Sequence, residues 1–136
     1  MNKTEIIAKV KARNFPESSY VVFGSAPLAI AGLREANDID LLVSEQLFKE
    51  LKRQGWKELD KGASDRPLVH ELFEAHKNWD FSFYSPTLEQ LLERAKVIDG
   101  IPFASLDEVR KWKIASERLK DLVDIKLIDR AGNAGQ

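Results

Sequence analysis

The chain has 136 residues, 43% hydrophobic and 32% charged, with no cysteine and a formal net charge of −1. This length suits one domain, residues 1–136, with a real core; the composition excludes disulfides and thiolate metal sites and gives no global pull toward nucleic acid or anionic membrane. No apolar run approaches the roughly 20 residues that span a bilayer, the N-terminus does not read as a signal peptide, and a cytoplasmic location is expected.

Thr4 to Arg13 carries Ile6, Ile7 and Val10 on one stripe, which predicts an amphipathic helix. Asn14 to Ser19 is a breaker cluster around Pro16. Tyr20-Val21-Val22-Phe23 predicts a buried strand that breaks at Gly24-Ser25, and Pro27 to Ala31 fits one or two helical turns. After the polar turn Arg34 to Asn37, Asp38 to Val43 predicts a second strand. Ser44 is placed to cap a helix from Glu45 to Gln54 that buries Leu47, Phe48 and Leu51 and closes at Gly55.

Trp56 to Leu59 fits a short strand. Leu68 to Phe73 and Trp79 to Tyr84 then predict an antiparallel hairpin turning through Glu74 to Lys77. In its second strand Trp79, Phe81 and Phe83 alternate with Asp80, Ser82 and Tyr84. Thr87 with Gln90 fits a capping box opening a helix to about Ala95. Val97 to Phe103 is an extended piece. Ser105 with Glu108 fits a second capping box, opening the longest helix, to about Arg130. Its apolar stripe is Val109, Trp112, Ala115, Leu119, Leu122 and Val123, and a frayed tail follows.

The chemistry gathers between Tyr20 and Val43. Residues i and i+2 of a strand share a face, so Asp38 and Asp40 converge on one side. Two carboxylates there suit a hard divalent ion such as Mg²⁺, which takes one or two carboxylates together with phosphates and water; solvated edge carboxylates are the other reading. Gly24-Ser25 between strand and helix allows close approach of a ligand, and the helix N-terminus behind it favours an anion; an ordinary strand-to-helix turn is the alternative. The two features together are what nucleotide chemistry needs. Asp80 is the third carboxylate: it either joins a two-metal site and activates a hydroxyl, or faces solvent with Ser82. Lys113, Glu117, Lys120, Asp121 and Asp124 form either a solvated helix face or a cationic contact from Lys113 or Lys120 to phosphate. His70 and His76, the only histidines, lack a metal-ligand spacing and suit surface or hairpin roles.

Gly24-Ser25, a twelve-residue gap and Asp38-Ile39-Asp40-Leu41 resemble the signature of the nucleotidyltransferase superfamily related to DNA polymerase beta. Asp80, in Trp79-Asp80-Phe81, resembles that family's third carboxylate. Gly32 to Glu35, Gly100 to Leu106, Lys113, Arg118, Lys120-Asp121 and Asp124 are similar to small bacterial nucleotidyltransferases grouped with the AbiEii toxins. Ala26-Pro27-Leu28 departs from the Ala-Arg-Gly that antitoxin-type minimal members carry at that place.

The resemblance implies an α+β fold, with a mixed sheet of about four to five strands flanked by helices and a long C-terminal helix. It implies NTP phosphates on Gly24 and Ser25, with Mg²⁺ or Mn²⁺, two ions, on Asp38, Asp40 and Asp80. An acceptor hydroxyl, on a small molecule, a protein or a tRNA, would attack the α-phosphorus and release pyrophosphate. The competing expectations are a nucleotide-binding or toxin-antitoxin module that works with a partner protein and turns over little, and a scaffold with an exposed Asp pair.

Overall fold

The computed structural model describes residues 1–60, 66–77, 84–116 and 119–134, with Ser116, Leu119, Lys120, Asn133 and Ala134 by backbone alone. Helix α1 (Lys3–Arg13) starts at Asn2, whose side chain forms a capping box with Glu5, and leads to strand β1 (Tyr20–Phe23). Helix α2 (Ala26–Ile30), strand β2 (Ile39–Val43) and helix α3 (Glu45–Arg53) follow, α3 being capped by Ser44 as expected. Then come β3 (Lys57–Glu58), β4 (Leu68–His70), β5 (Phe73–His76), α4 (Leu88–Arg94), β6 (Lys96–Ile98), β7 (Ile101–Phe103), α5 (Leu106–Ser116) and α6 (Leu119–Ala134).

The mixed sheet flanked by helices is the expected fold class, with seven strands among the described residues, in the order β3-β4-β5-β2-β1-β7-β6, in place of about four to five. The extra count comes from short pairings. Val97 to Phe103, expected as one extended piece, is the hairpin β6–β7, turning at Asp99-Gly100, where both residues have positive φ. Antiparallel pairing joins β1 to β2, and parallel pairing joins β1 to β7 and β2 to β5.

Period-two alternation divides the core. Tyr20, Val22, Ile39, Leu41, Val43, Phe73 and Ala75 face α1 and α3, where Ile6, Val10, Leu47, Phe48 and Leu51 pack. Val21, Phe23 and Leu42 face α4, α5 and α6, where Leu91, Val109, Trp112 and Ile128 pack. The short α2 serves both sides, giving Ala26 and Ala29 to one core and Leu28 to the other.

Two expectations change. The hairpin preceding α4 turns at Glu71-Leu72, and Glu74 to His76, expected as its turn, are part of strand β5 paired with β4; all of the expected second strand before Tyr84 falls on residues 78–83, which lie outside the described set. The turn places Glu71 at φ 52°, a left-handed backbone on a residue that carries no turn signature. The long C-terminal helix is instead two helices. Arg110 and Asp129 meet at 2.7 Å, whereas nineteen residues of continuous helix would hold them about 28 Å apart. Folding back brings Ile128 against Val109 and Trp112 and leaves Leu122 and Val123, expected in the stripe, exposed. The second helix continues past Arg130 through Ala134.

Ser105 accepts from the Glu108 N–H at 3.2 Å, but the Glu108 carboxylate is occupied by the Tyr84 hydroxyl at 2.6 Å and by Arg94 at 3.1 Å. This joins α4 and the segment before it to the start of α5. At Thr87 the reciprocal capping box with Gln90 forms as expected.

In urea denaturation Ile128→Ala is expected to cost about 2–5 kcal/mol and Leu122→Ala to stay within about 0.5 kcal/mol. Similar losses at both positions would contradict the folded-back arrangement.

Candidate active site

The site lies where β1 ends, β2 begins and β5 runs beside it. Phe23 is register partner to Asp40 across β1 and β2, so the turn at Gly24 comes directly against the Asp40 side chain. A Cβ on Gly24 would lie 2.2 Å from Asp40 Oδ2 and 3.0 Å from its Cγ, and Gly24 has φ +70°. Only glycine meets both demands, the left-handed backbone and the missing side chain.

Asp38 lies in the bend just before β2 and is exposed; Asp40 is half-buried. Beside them, the parallel register places Asp40 next to Glu74 and Leu42 next to His76. The Ile39 N–H donates to the Leu72 carbonyl at 2.8 Å, holding the β4–β5 turn to the start of β2 and fixing that register. Glu74 and His76 are two apart on β5 and share the face of Asp40. Ligand atoms of Asp40, Glu74 and His76 all lie within 4.8 Å of one another. His76 Nε2 is 3.2 Å from Glu74 Oε1, and its side chain is only 8% exposed.

On the other flank Ser25 begins α2 without capping it, and its hydroxyl accepts from Arg34 Nη2 at 2.6 Å. The same guanidinium is bidentate on Asp124, with Nε at 2.7 Å and Nη2 at 2.9 Å from the two carboxylate oxygens. Asp124 in turn meets Lys113 Nζ at 2.8 Å, and Lys113 meets Asp121 at 3.1 Å. The Lys113 and Asp121 side chains are 2% and 1% exposed. Of the charges expected either to face solvent or to reach phosphate, Lys113, Asp121 and Asp124 are part of an internal chain from α5 and α6 to the Gly24-Ser25 turn.

The hydrogen bond from Arg34 to Asp124 raises the guanidinium above its ordinary pKa, with help from the nearby Asp38 charge. Burial pushes the Asp124 carboxyl up, but the hydrogen bonds from Arg34 and Lys113 outweigh it and hold the group below the usual carboxylate range.

Of the residues singled out in the sequence, Gly24 and Asp40 come into close contact and Ser25 follows on the same turn, while Asp38 stands in the bend before β2 and not in the strand expected to hold it. Lys113 approaches the turn only through Asp124 and Arg34. Asp80 and the Lys120 side chain lie outside the described residues. Arg34, Glu74, His76 and the pairing role of Asp124 escaped the sequence reading. The signal for Glu74 and His76 was their two-residue spacing in an apolar stretch, hidden by assigning that stretch to a turn. Carboxylate oxygens on Asp40 and Glu74, with the His76 imidazole, form a donor set that fits a divalent cation; Asp38 is not part of it. A cavity of about 510 Å³, lined in part by Asn14, Phe15, Ser44 and Glu50, lies between α1 and α3 on the other side of the sheet and contains none of these residues.

No family model and no curated protein matches the sequence. Two solved structures match the fold. The crystal structure of ANT(2'')-Ia in complex with adenylyl-2''-tobramycin superposes with a TM-score of 0.54 at 16% identity, covering 96% of this chain and 87% of that one. The solution structure of the same antibiotic-resistance factor gives 0.53 at 18% identity, covering 99% and 88%. The chain has a nucleotidyltransferase-like fold.

Three outcomes follow from the geometry. Gly24→Ala is expected to be strongly destabilising, and its cost should fall by about 1 kcal/mol or more in an Asp40→Gly background, a coupling read from a double-mutant cycle in urea. Because the Asp124 pKa is depressed in the folded state, its stabilisation is complete above the ordinary carboxylate pKa and is lost as pH falls through the lower folded value. Acid titration of stability should therefore lose part of its low-pH limb in Asp124→Asn. Lys113→Ala, which removes a buried cation from between the buried carboxylates of Asp121 and Asp124, should cost about 3–5 kcal/mol.

Proposed function

We propose that this face transfers a nucleoside monophosphate from an NTP to a hydroxyl-bearing acceptor. The observation that carries the reading is the contact of the Gly24-Ser25 turn with Asp40. It puts a backbone turn able to lie against phosphates directly beside carboxylates able to hold the cation those phosphates bring. The nucleotidyltransferase-like fold supports the same reading.

In this proposal Gly24 and Ser25 seat the phosphates, and Asp38 and Asp40 hold a divalent ion, Mg²⁺ or Mn²⁺, or two such ions. When bound, the metal supplies charge neutralisation on phosphate oxygens. The acceptor oxygen forms a bond to the α-phosphorus as the bond to the bridging oxygen breaks, and pyrophosphate leaves. Asp80 is the proposed group that takes the acceptor's proton. Arg34 holds Ser25 and positions the turn, and Lys113, buried behind Asp124, positions Arg34. The Lys120 side chain is proposed to meet the nucleotide phosphates. The acceptor is a small molecule, a protein or a tRNA; adenylyl-2''-tobramycin bound to ANT(2'')-Ia makes a small polyhydroxylated acceptor the first class to try. The proposed kinship with the AbiEii-grouped enzymes rests on Gly32 to Glu35 and the C-terminal residues already named.

With α-labelled NTPs, a divalent ion and an acceptor panel, labelled product is expected from the wild type. Asp38→Asn and Asp40→Asn should each lower the rate by about a hundredfold or more while keeping the far-ultraviolet circular dichroism of the wild type. Full activity in a folded Asp40→Asn variant would overturn the assignment.

A further inference from the structure

We infer that the cavity between α1 and α3 is a second binding site, built for a small aromatic anion. It stands apart from the proposed transfer face, and its binding does not rest on that reading.

The cavity follows from how α1 ends. Asn14 closes the helix in the left-handed conformation, at φ 51°, and Pro16 keeps the helix from resuming. Phe15, between them, reaches the core only in part. Its ring meets Tyr20 at 5.0 Å and stands edge-on to Phe73 and Trp56 at 6.2 Å and 6.4 Å. It stays half-buried and also lines the cavity. The volume is about 510 Å³, inside the range of pockets that take small organic ligands.

Charge sets the class of ligand. The charged residues of the lining are Arg13, Lys49, Glu50 and Arg53, three cations to one carboxylate. Glu50 is already held by Arg53, at 2.6 Å. Lys49 reaches Glu45 only at 3.9 Å, with side chains 70% and 74% exposed, and such a pair is worth little. The Arg13 guanidinium lies over the Trp56 and Phe73 rings, 5.8 Å and 6.0 Å from their centroids, contacts that do not neutralise its charge. An anion on an aromatic body meets both demands of this surface. The ring packs against Phe15, and the negative charge answers the excess of cations.

Position separates the cavity from the transfer face. Ser19 precedes β1, Ser44 follows β2, and both line the cavity. The Ser44 N–H donates to the Ser19 carbonyl at 2.8 Å. Gly24 follows the other end of β1, where Phe23 is register partner to Asp40. The antiparallel pair runs between the two places, so a ligand at one leaves the other open.

The test uses the full chain, isotope-labelled for amide NMR, without nucleotide or metal. The probe is cinnamate, and cinnamyl alcohol is its neutral counterpart. The expected result is saturable shifts at the Phe15, Gln46, Leu47 and Glu50 amides, with those of Gly24, Ser25 and Asp40 unmoved. Cinnamate should bind about fivefold or more tighter than the alcohol, and added salt should erode that margin. Arg13→Gln combined with Lys49→Gln should remove most of it. The two probes are compared on the wild type, so the outcome does not depend on the variant folding. No saturable shift at the cavity, equal binding of the two probes, or shifts centred on Gly24 and Ser25 would each overturn the inference. Cinnamate in the cavity without transfer to any acceptor would uphold the site and remove the transfer reading. Transfer without cinnamate binding would do the reverse.

Discussion

Asp124 stands in a buried ionic chain of two cations and two carboxylates, running from Asp121 through Lys113 and Asp124 to Arg34 and ending on the Ser25 hydroxyl. Ions taken out of water lose several kcal/mol each, and only close, hydrogen-bonded partners return it. Here the partners come from helix α5, helix α6 and the turn preceding β2. Movement of any one of the three alone breaks a close ion pair of this chain. The two helices are therefore more than a cover for the apolar face of β1 and β2; they fix Arg34, and Arg34 fixes the turn on which the proposed phosphate seat depends.

The second constraint is steric and lies at the opposite end of that turn. Asp40 Oδ2 occupies the place a Cβ on residue 24 would need. The close approach specifies glycine, sets how near backbone and carboxylate come, and leaves the Asp40 side chain pressed between β1 and β5. Ionic order on one side of Gly24-Ser25 and steric order on the other make this short turn the most over-determined part of the molecule. A turn of that kind suits a ligand that must be held before chemistry, since positions fixed by folding do not have to be fixed again by binding.

Much of this architecture was legible in the chain because its signals are local. Tyr20 to Phe23 is an apolar run, and Ser44 and Thr87 are side-chain caps whose hydrogen bonds lie within three residues. What was illegible is non-local. Glu71 and Leu72 form a tight turn without glycine, proline or asparagine, so β5 gave no sign of starting at Phe73. The fold-back between α5 and α6 similarly shows only in long-range partners: Arg110 with Asp129, and Lys113 with Asp121 and Asp124. A charged helix face looks the same in sequence whether water or another helix covers it, and burial decides which.

The hairpin turn at Glu71-Leu72 matters most for chemistry. Had β5 begun after Lys77, Glu74 and His76 would occupy a loop and the face beside Asp40 would hold only what a later strand supplied. Starting β5 at Phe73 sets its first inward pair to Glu74 and His76, and the bond from the Ile39 N–H to the Leu72 carbonyl makes that choice part of the sheet. A one-residue slip of β5 would turn Phe73 and Ala75 out of the core shared with α1 and α3 and drive Glu74 and His76 into it. The apolar packing on one face of the sheet thereby enforces the placement of carboxylate and imidazole on the other. The donor set beside Asp40 follows from core packing and from no separate device.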